Sequence, residues 1–398
     1  MKGFGSESKF NKKKINETFI IKTLKLHANN QIEDAEKNYK IILANGIIDS
    51  RVINNYAVLC KQIGKIEKAK SLLKKSIKVF PKKPEAYSNL STILKSENKI
   101  IEAERCLNNA LNIKPDFIDA MMNLSEIYSM QSKVEEAKLI LNKVIKINSD
   151  YYPAYINLGA LLQRIGKFEE AKKVTKKGID LQPDKSIGYA NMGCICKEIN
   201  HNEKAEIYLK KAIKIDPHIS SYYYQLGNIL FEVSRINEAE EYIRKSIKLD
   251  SNNSNSNTCL ARILMHQGHN KEAKIILKKA IEYDPIIGAS YYFLSTISNL
   301  EDKDMNLLLS QSIENRKNII DKIDISFSKA NILDKIKNYK EASFFLKKAN
   351  DLNREHYKSN FASFINSIKS YYTQSIQLPS QNIKSHSLAK NIFAVGLP

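Results

Sequence analysis

A carboxamide recurs once every 34 residues along the middle of this chain, as Asn55, Asn89, Asn123, Asn157 and Asn191, and Gln225 continues the row. Such side chains present a donor and an acceptor together, so a ladder of them can pair with the N–H and C=O groups of an extended peptide without reading its side chains. That is the chemistry of binding. The same residue type at a recurring helical position can also satisfy backbone groups of its own fold, and the sequence leaves both roles open. The reactive side chains form no comparable pattern. Five cysteines, Cys60, Cys106, Cys194, Cys196 and Cys259, are odd in number and scattered, which fits reduced thiols in a cytosol rather than a disulfide framework. Cys194 and Cys196 stand two apart on a helix and point to different sides, so they do not form a metal pair. His266 and His269 flank the turn residue Gly268 and read as a solvated turn.

A row with a fixed period requires an element with the same period. Alanine falls at Ala35, Ala69, Ala103, Ala137, Ala171, Ala205, Ala239 and Ala273, at an unbroken spacing of 34. With this alanine at position 20 of each unit, position 8 is small in Ala57, Ser91, Ser125, Gly159, Gly193, Gly227 and Ala261, where two helices must approach closely. Position 15 reads Asn30, Gly64, Asn98, Ser132, Gly166, Asn200, Ser234 and Gly268. These types end a helix in the left-handed conformation at little cost. Pro81, Pro115, Pro183, Pro217 and Pro285 occupy position 32, with Ser149 and Ser251 substituting, so each second helix stops there. Position 10 (Leu59, Ile93, Ile127, Leu161, Ile195, Ile229, Ile263) and position 28 (Ile77, Leu111, Ile145, Ile179, Ile213, Ile247, Ile281) are always apolar. They read as core stripes at helical period. One helix pair cannot bury both of its faces, so the units must stack and the ends must be capped.

Composition narrows the function. The chain has 398 residues and is 43% apolar, with no apolar run of the length a membrane span needs. Its polar, lysine-rich start up to Lys14 carries no apolar segment behind it, so a cytoplasmic location is expected. The net charge of +20 invites a nucleic-acid reading, yet only eight of the 63 basic residues are Arg. Phosphate and base readers favour the guanidinium fork. Lysines also recur late in the second helices, as in Lys74 and Lys75 or Lys210 and Lys211, and acids early in them, as in Glu67 and Glu203. The helix dipole favours that arrangement. The expected partner is therefore a protein or peptide.

The 34-residue period is the signature of tetratricopeptide arrays, which the chain resembles over most of its length. The resemblance implies an all-α fold, a right-handed superhelix (α-solenoid) of about eight regular plus two degenerate repeats. The expected organisation is a basic arm over residues 1–15, eight repeats over 16–287, degenerate repeats and capping helices over 288–372, and a linker with an orphan strand over 373–398. The first repeat is atypical, with Lys22 at an apolar position. The unit after Pro285 keeps Tyr291 and Leu294 and loses register by Leu307. The pattern returns as Ala330, Leu333, Ala342, Leu346 and Ala349, and Phe361, Phe364, Ile365, Ile368, Tyr371 and Tyr372 read as a capping helix.

Two finer resemblances bear on function. The unit Tyr155-Ile156-Asn157-Leu158-Gly159, with Gly166 and Glu170-Ala171, resembles the repeats of the glycosyltransferase that adds N-acetylglucosamine to Ser and Thr, whose asparagine ladder holds substrate polypeptide. The final segment, Asn391-Ile392-Phe393-Ala394-Val395-Gly396-Leu397-Pro398, resembles the first strand of the sulfotransferase domain. Segments 338–342, 346–350 and 354–357 are similar to the region that joins repeats to a sulfotransferase in bacterial proteins. In that family the strand runs into a loop that cradles the sulfuryl donor PAPS; here Gly396, Leu397 and Pro398 are its stub. The resemblance implies the repeat half of such an enzyme, itself without catalytic residues, cofactor or metal, acting as a scaffold derived from it. Its alternative is a sulfotransferase subunit that regains activity when a separate chain supplies the PAPS-binding α/β domain. An unpaired strand would also promote weak self-association through Ile392, Phe393 and Val395.

Overall fold

In a computed structural model of the chain, residues 17–356 are described, and every regular element among them is a helix. They divide into two compact units, residues 17–161 with 170–192, and residues 162–169 with 193–356. The helices come in consecutive pairs, an A helix followed by a B helix. The first unit holds α1 (Glu17–Ala28) with α2 (Ile32–Ala44), α3 (Ser50–Gln62) with α4 (Ile66–Val79), α5 (Pro84–Ser96) with α6 (Ile100–Ile113), and α7 (Ile118–Met130) with α8 (Val134–Ile147). Most of α9 (Tyr152–Arg164) and α10 (Phe168–Leu181) also belongs to it, as does the first half of α11 (Ser186–Glu198). The second unit holds α12 (Asn202–Ile215), α13 (Ser220–Glu232) with α14 (Ile236–Leu249), and α15 (Ser254–His266) with α16 (Asn270–Tyr283). It continues with α17 (Gly288–Thr296), α18 (Asp302–Leu309) and α19 (Ile319–Lys335), and a further helix occupies 339–356.

The period acts through two close approaches. All eight position-20 alanines are fully buried. A β-carbon built at Gly193 lies 3.3 Å from the Ala205 carbonyl and 2.8 Å from Leu209, and one at Gly159 lies 2.1 Å from the Thr175 hydroxyl. A small residue at position 8 is therefore required by the backbone and side chains of its own B helix, twelve and sixteen positions on. The turn between the two helices is equally constrained. All eight position-15 residues have positive φ, between 58° and 84°. The following N–H then reaches back to the first helix, as in Lys65 to the Cys60 carbonyl and His201 to the Cys196 carbonyl, both at 2.8 Å. This closes the helix end as the left-handed C-cap requires.

These B helices start without side-chain caps at Lys65, Lys99, Lys133, His201, Arg235 and His269. An acid in the first turn, such as Glu67, Glu102, Glu203 or Glu272, faces their positive end instead. Position 10 is core, from 0% to 4% exposed. Position 28 is different. Only Ile281 is buried there, and the others are half-buried; the fully buried stripe is the preceding position, as Ser76, Ala110, Val144, Ala212, Ser246 and Ala280. Lys22 is exposed, and Tyr291 and Leu294 are buried as their register demands. After Leu294 the pair α17 and α18 is cut short, and α18 is anchored by charge: Asp304, 1% exposed, accepts from Lys274 at 2.6 Å and Lys278 at 2.8 Å. Ala342 and Ala349 are buried, whereas Leu346 is 47% exposed rather than packed. The expected capping helix from Phe361 to Tyr372 and the terminal segment 391–398 lie outside the described residues.

Candidate polypeptide-binding face

In the first unit the A helices α3, α5 and α7 line one groove of about 600 Å³, and Asn55, Asn89 and Asn123 are three of its wall residues. All three are half-buried and border the open space of the groove. Asn55 donates to the Arg51 carbonyl at 2.9 Å, and Asn123 to the Ser88 hydroxyl at 3.2 Å. Among the described residues the Asn89 side chain has no hydrogen-bond partner. Asn157 and Asn191 continue the row on α9 and α11, outside the lining of that groove. Asn191 makes a long 3.5 Å contact to the Ile156 carbonyl, and Asn157 is half-buried. Gln225 lies in the second unit, and its Oε1 is buried with no partner. Internal hydrogen bonding thus uses one N–H of Asn55, Asn123 and Asn191 and leaves most of the ladder's capacity unspent.

The periodic reading misses the neighbouring Asn54. It is 6% exposed, lines the groove, and its Oδ1 has no hydrogen-bond partner. A buried acceptor left without a donor is destabilising by about 1–3 kcal/mol. The signal in the sequence is the doubled Asn54-Asn55, since position 5 of the following units carries Ser88, Met122, Ile156, Ala190, Tyr224 and Thr258. The groove rim is mixed in charge, with Lys83, Glu85 and Asp119, and its apolar wall is Val58, Phe117, Met122 and Tyr151. Arg51 is occupied. It forks onto Glu17 at 2.7 and 3.0 Å and reaches Asp49 at 2.8 Å, which holds both carboxyls below the usual range through those hydrogen bonds.

A second feature escapes the sequence pattern. The position-4 side chains Tyr87, Tyr155, Tyr189, Tyr223 and Tyr291 donate to the carbonyl six residues earlier, at Pro81, Ser149, Pro183, Pro217 and Pro285. They fix the loops that deliver the chain to α5, α9, α11, α13 and α17. The thiols are poor candidates for chemistry. Burial pushes Cys194 and Cys259 up to about 11 and raises Cys60 and Cys106, so little thiolate forms near neutrality. Among the described residues no cluster of His, Cys, Asp or Glu could hold a metal ion, and no helix is long and apolar enough to cross a membrane.

The tetratricopeptide repeat family matches residues 50–83, 84–117, 118–151, 152–185, 188–219, 220–253, 257–286 and 323–356. The chain belongs to that family. It is similar to a chain of the solved APC/C hetero-tetramer Cut9-Hcn1, at 15% identity and a TM-score of 0.57 over 74% of this chain and 57% of that one. It is also similar to a solved tetratricopeptide repeat protein from Parabacteroides merdae, at 16% identity and a TM-score of 0.53, over 63% of this chain and 98% of that one. The chain spans little more than half the length of the first of these, and both likenesses concern the fold. No curated protein matches it.

Proposed function

We propose that this chain is a cytoplasmic protein–protein interaction scaffold that grips extended polypeptide on its A helices through the carboxamides of Asn55, Asn89, Asn123, Asn157 and Asn191, with Gln225 serving the second unit. The observation that carries this reading is the groove wall itself: three laddered Asn side chains beside Asn54, with most of their donors and acceptors unspent. Repeat folds of this kind present extended surfaces for other chains, which supports a binding role. The absence of enzymatic activity and the need for no cofactor are part of the same proposal.

The test is a set of Ala substitutions at Asn89, Asn123, Asn157 and Asn191, assayed with peptides selected by display on the full chain. Each lost amide is expected to weaken binding by about 1 kcal/mol, so the quadruple variant loses affinity by a factor of several hundred while its circular dichroism is unchanged. A variant that fails to fold, or that binds as the parent does, contradicts the reading. Descent from a repeat–sulfotransferase, with activity restored by a separate PAPS-binding domain, is the second reading. It rests on residues 391–398, ending in Gly396, Leu397 and Pro398, which lie outside the described residues.

A further inference from the structure

The A helices of the second unit carry a different chemistry from those of the first. Where the first unit offers amides and hydroxyls, α13, α15 and α17 offer rings around one guanidinium. Arg262 of α15 lies over the Phe231 ring at 4.8 Å on one side and over the Phe293 ring at 5.1 Å on the other. Phe231 meets His266 edge-on at 6.2 Å, Phe293 meets Tyr292 at 5.2 Å, and Tyr292 meets Phe327 of α19 at 6.2 Å. Arg262, Phe231, Tyr292, Phe293 and Phe327 are all half-buried, so the cluster is neither core nor free surface.

The rings hold Arg262 but do not satisfy it. A guanidinium has five N–H donors in one plane, and stacking on aromatic faces leaves that plane's edge open. Its one polar contact is a 3.5 Å approach to the Asn228 Oδ1, and among the described residues no carboxylate pairs with it. Glu232, whose charge acts with that of Arg262 on Cys259, is already engaged by Lys197 at 2.9 Å and by the Asn228 amide at 3.0 Å. On a chain where Arg51, Arg235 and Arg244 each hold a carboxylate, Arg262 is a cation fixed in place with its fork unfilled.

We propose that Arg262, clamped between Phe231 and Phe293, is a recognition site for a side-chain carboxylate of an internal Asp or Glu in a bound polypeptide, flanked on both sides by apolar residues. The fork matches a carboxylate with two parallel hydrogen bonds. Rings on each side of the guanidinium take the flanking side chains, which places the acid within a segment rather than at its end. Glu232 nearby opposes a phosphate dianion more than a single carboxylate charge, and one Arg makes no track for a nucleic-acid backbone. The inference rests on the polypeptide-binding reading but uses another unit and another chemistry, and it assigns a sequence preference that an amide ladder cannot supply.

The experiment selects from a library of 12-residue peptides, capped at both ends, on the full-length chain and on three variants: Arg262→Met, Arg262→Lys, and the pair Asn89→Ala with Asn123→Ala. The full chain should enrich Asp or Glu between apolar or aromatic residues, and changing that acid to its amide in a synthetic consensus peptide should weaken binding about 30-fold or more. Arg262→Met should cause the same loss, and Arg262→Lys, which keeps charge but not the fork, a smaller one. The paired Asn variant should keep the acidic preference. If peptides are enriched without an acid, or Arg262→Met and Arg262→Lys bind the consensus as the parent does while the Asn variant loses affinity, the Arg262 site is overturned and the ladder stands. Tighter binding of an acid-free synthetic peptide with a free C-terminus than of the capped consensus, stronger binding of a phosphoserine peptide, or an Arg262-dependent preference for a poly(U) probe also overturns it. If neither unit retains any peptide, both readings fail.

Discussion

Replacing Gly227 by leucine is expected to open the α13–α14 pair, destabilising it by about 3 kcal/mol. A β-carbon at this position already lies 2.7 Å from two carbons of Ile243 and 3.1 Å from the Ala239 carbonyl. Ile243 can turn only at the expense of its packing, and the carbonyl cannot move unless α14 does. A leucine therefore separates the helices rather than filling a space. The contrasting change is Gly268→Ala, where a β-carbon meets nothing within 4 Å but the backbone sits at φ 84°. That costs about 1–2 kcal/mol through backbone strain alone. In hydrogen exchange Gly227→Leu should remove protection across α13 and α14 and leave α3 to α8 as they were, since stacked repeats transmit stability to their neighbours. Unchanged protection in α13 would show that the close approach does not set the period.

The second large effect is on pH. Asp304 is buried, which by itself raises its pKa, but the hydrogen bonds from Lys274 and Lys278 outweigh that and bring it to about 2, below the ordinary 3.8. Asp324 of α19 goes the other way, pushed up to about 6 by burial and by the neighbouring charge of Asp321. Asp321 is itself fixed by the Gly288 N–H at 2.8 Å. A depressed acid gives stabilisation that is complete above the unfolded pKa and lost as pH falls through the folded one, here from about pH 4 towards about 2. A raised acid costs stability as pH rises from about 4 to about 6. At about 1.4 kcal/mol per pKa unit each is worth roughly 2–3 kcal/mol. Residues 288–335 should therefore be most resistant to opening near pH 4. Asp324→Asn should remove the decline between pH 4 and 6, and Asp304→Asn should flatten the acid limb. A wild-type profile that rises steadily to pH 7 would contradict the assignment.

These features differ in how far the sequence exposed them. Position 15 was legible because one backbone conformation, positive φ, admits few residue types, and Asn, Gly and Ser at a fixed spacing say so directly. Position 20 was legible for a similar reason, since only a small side chain fits under the facing helix. Position 28 is mostly half-buried despite its apolar period, because helical period reports which face a residue is on, not how much of that face its neighbour covers. Asn54 was hidden behind the more regular Asn55, as burial is a property of packing and not of spacing. The Arg262 clamp was hidden for another reason. Its partners stand 31 residues away on each side, at different positions of their own units, and only stacking brings Phe231 and Phe293 over one guanidinium.

The central claim is that the carboxamides hold backbone rather than side chains, and one measurement separates the two. A peptide selected on the full chain is resynthesised with single ester linkages in place of successive amides, each removing one N–H while keeping every side chain. If Asn55, Asn89 and Asn123 accept from the peptide backbone, esters at alternating positions should weaken binding by about fivefold each, the ~1 kcal/mol effect of losing one hydrogen bond to a half-buried carboxamide. The intervening positions should be nearly silent, as expected for an extended chain whose N–H groups point to opposite sides in turn. An ester series that binds uniformly like the parent, with affinity changing only when side chains are altered, would contradict it.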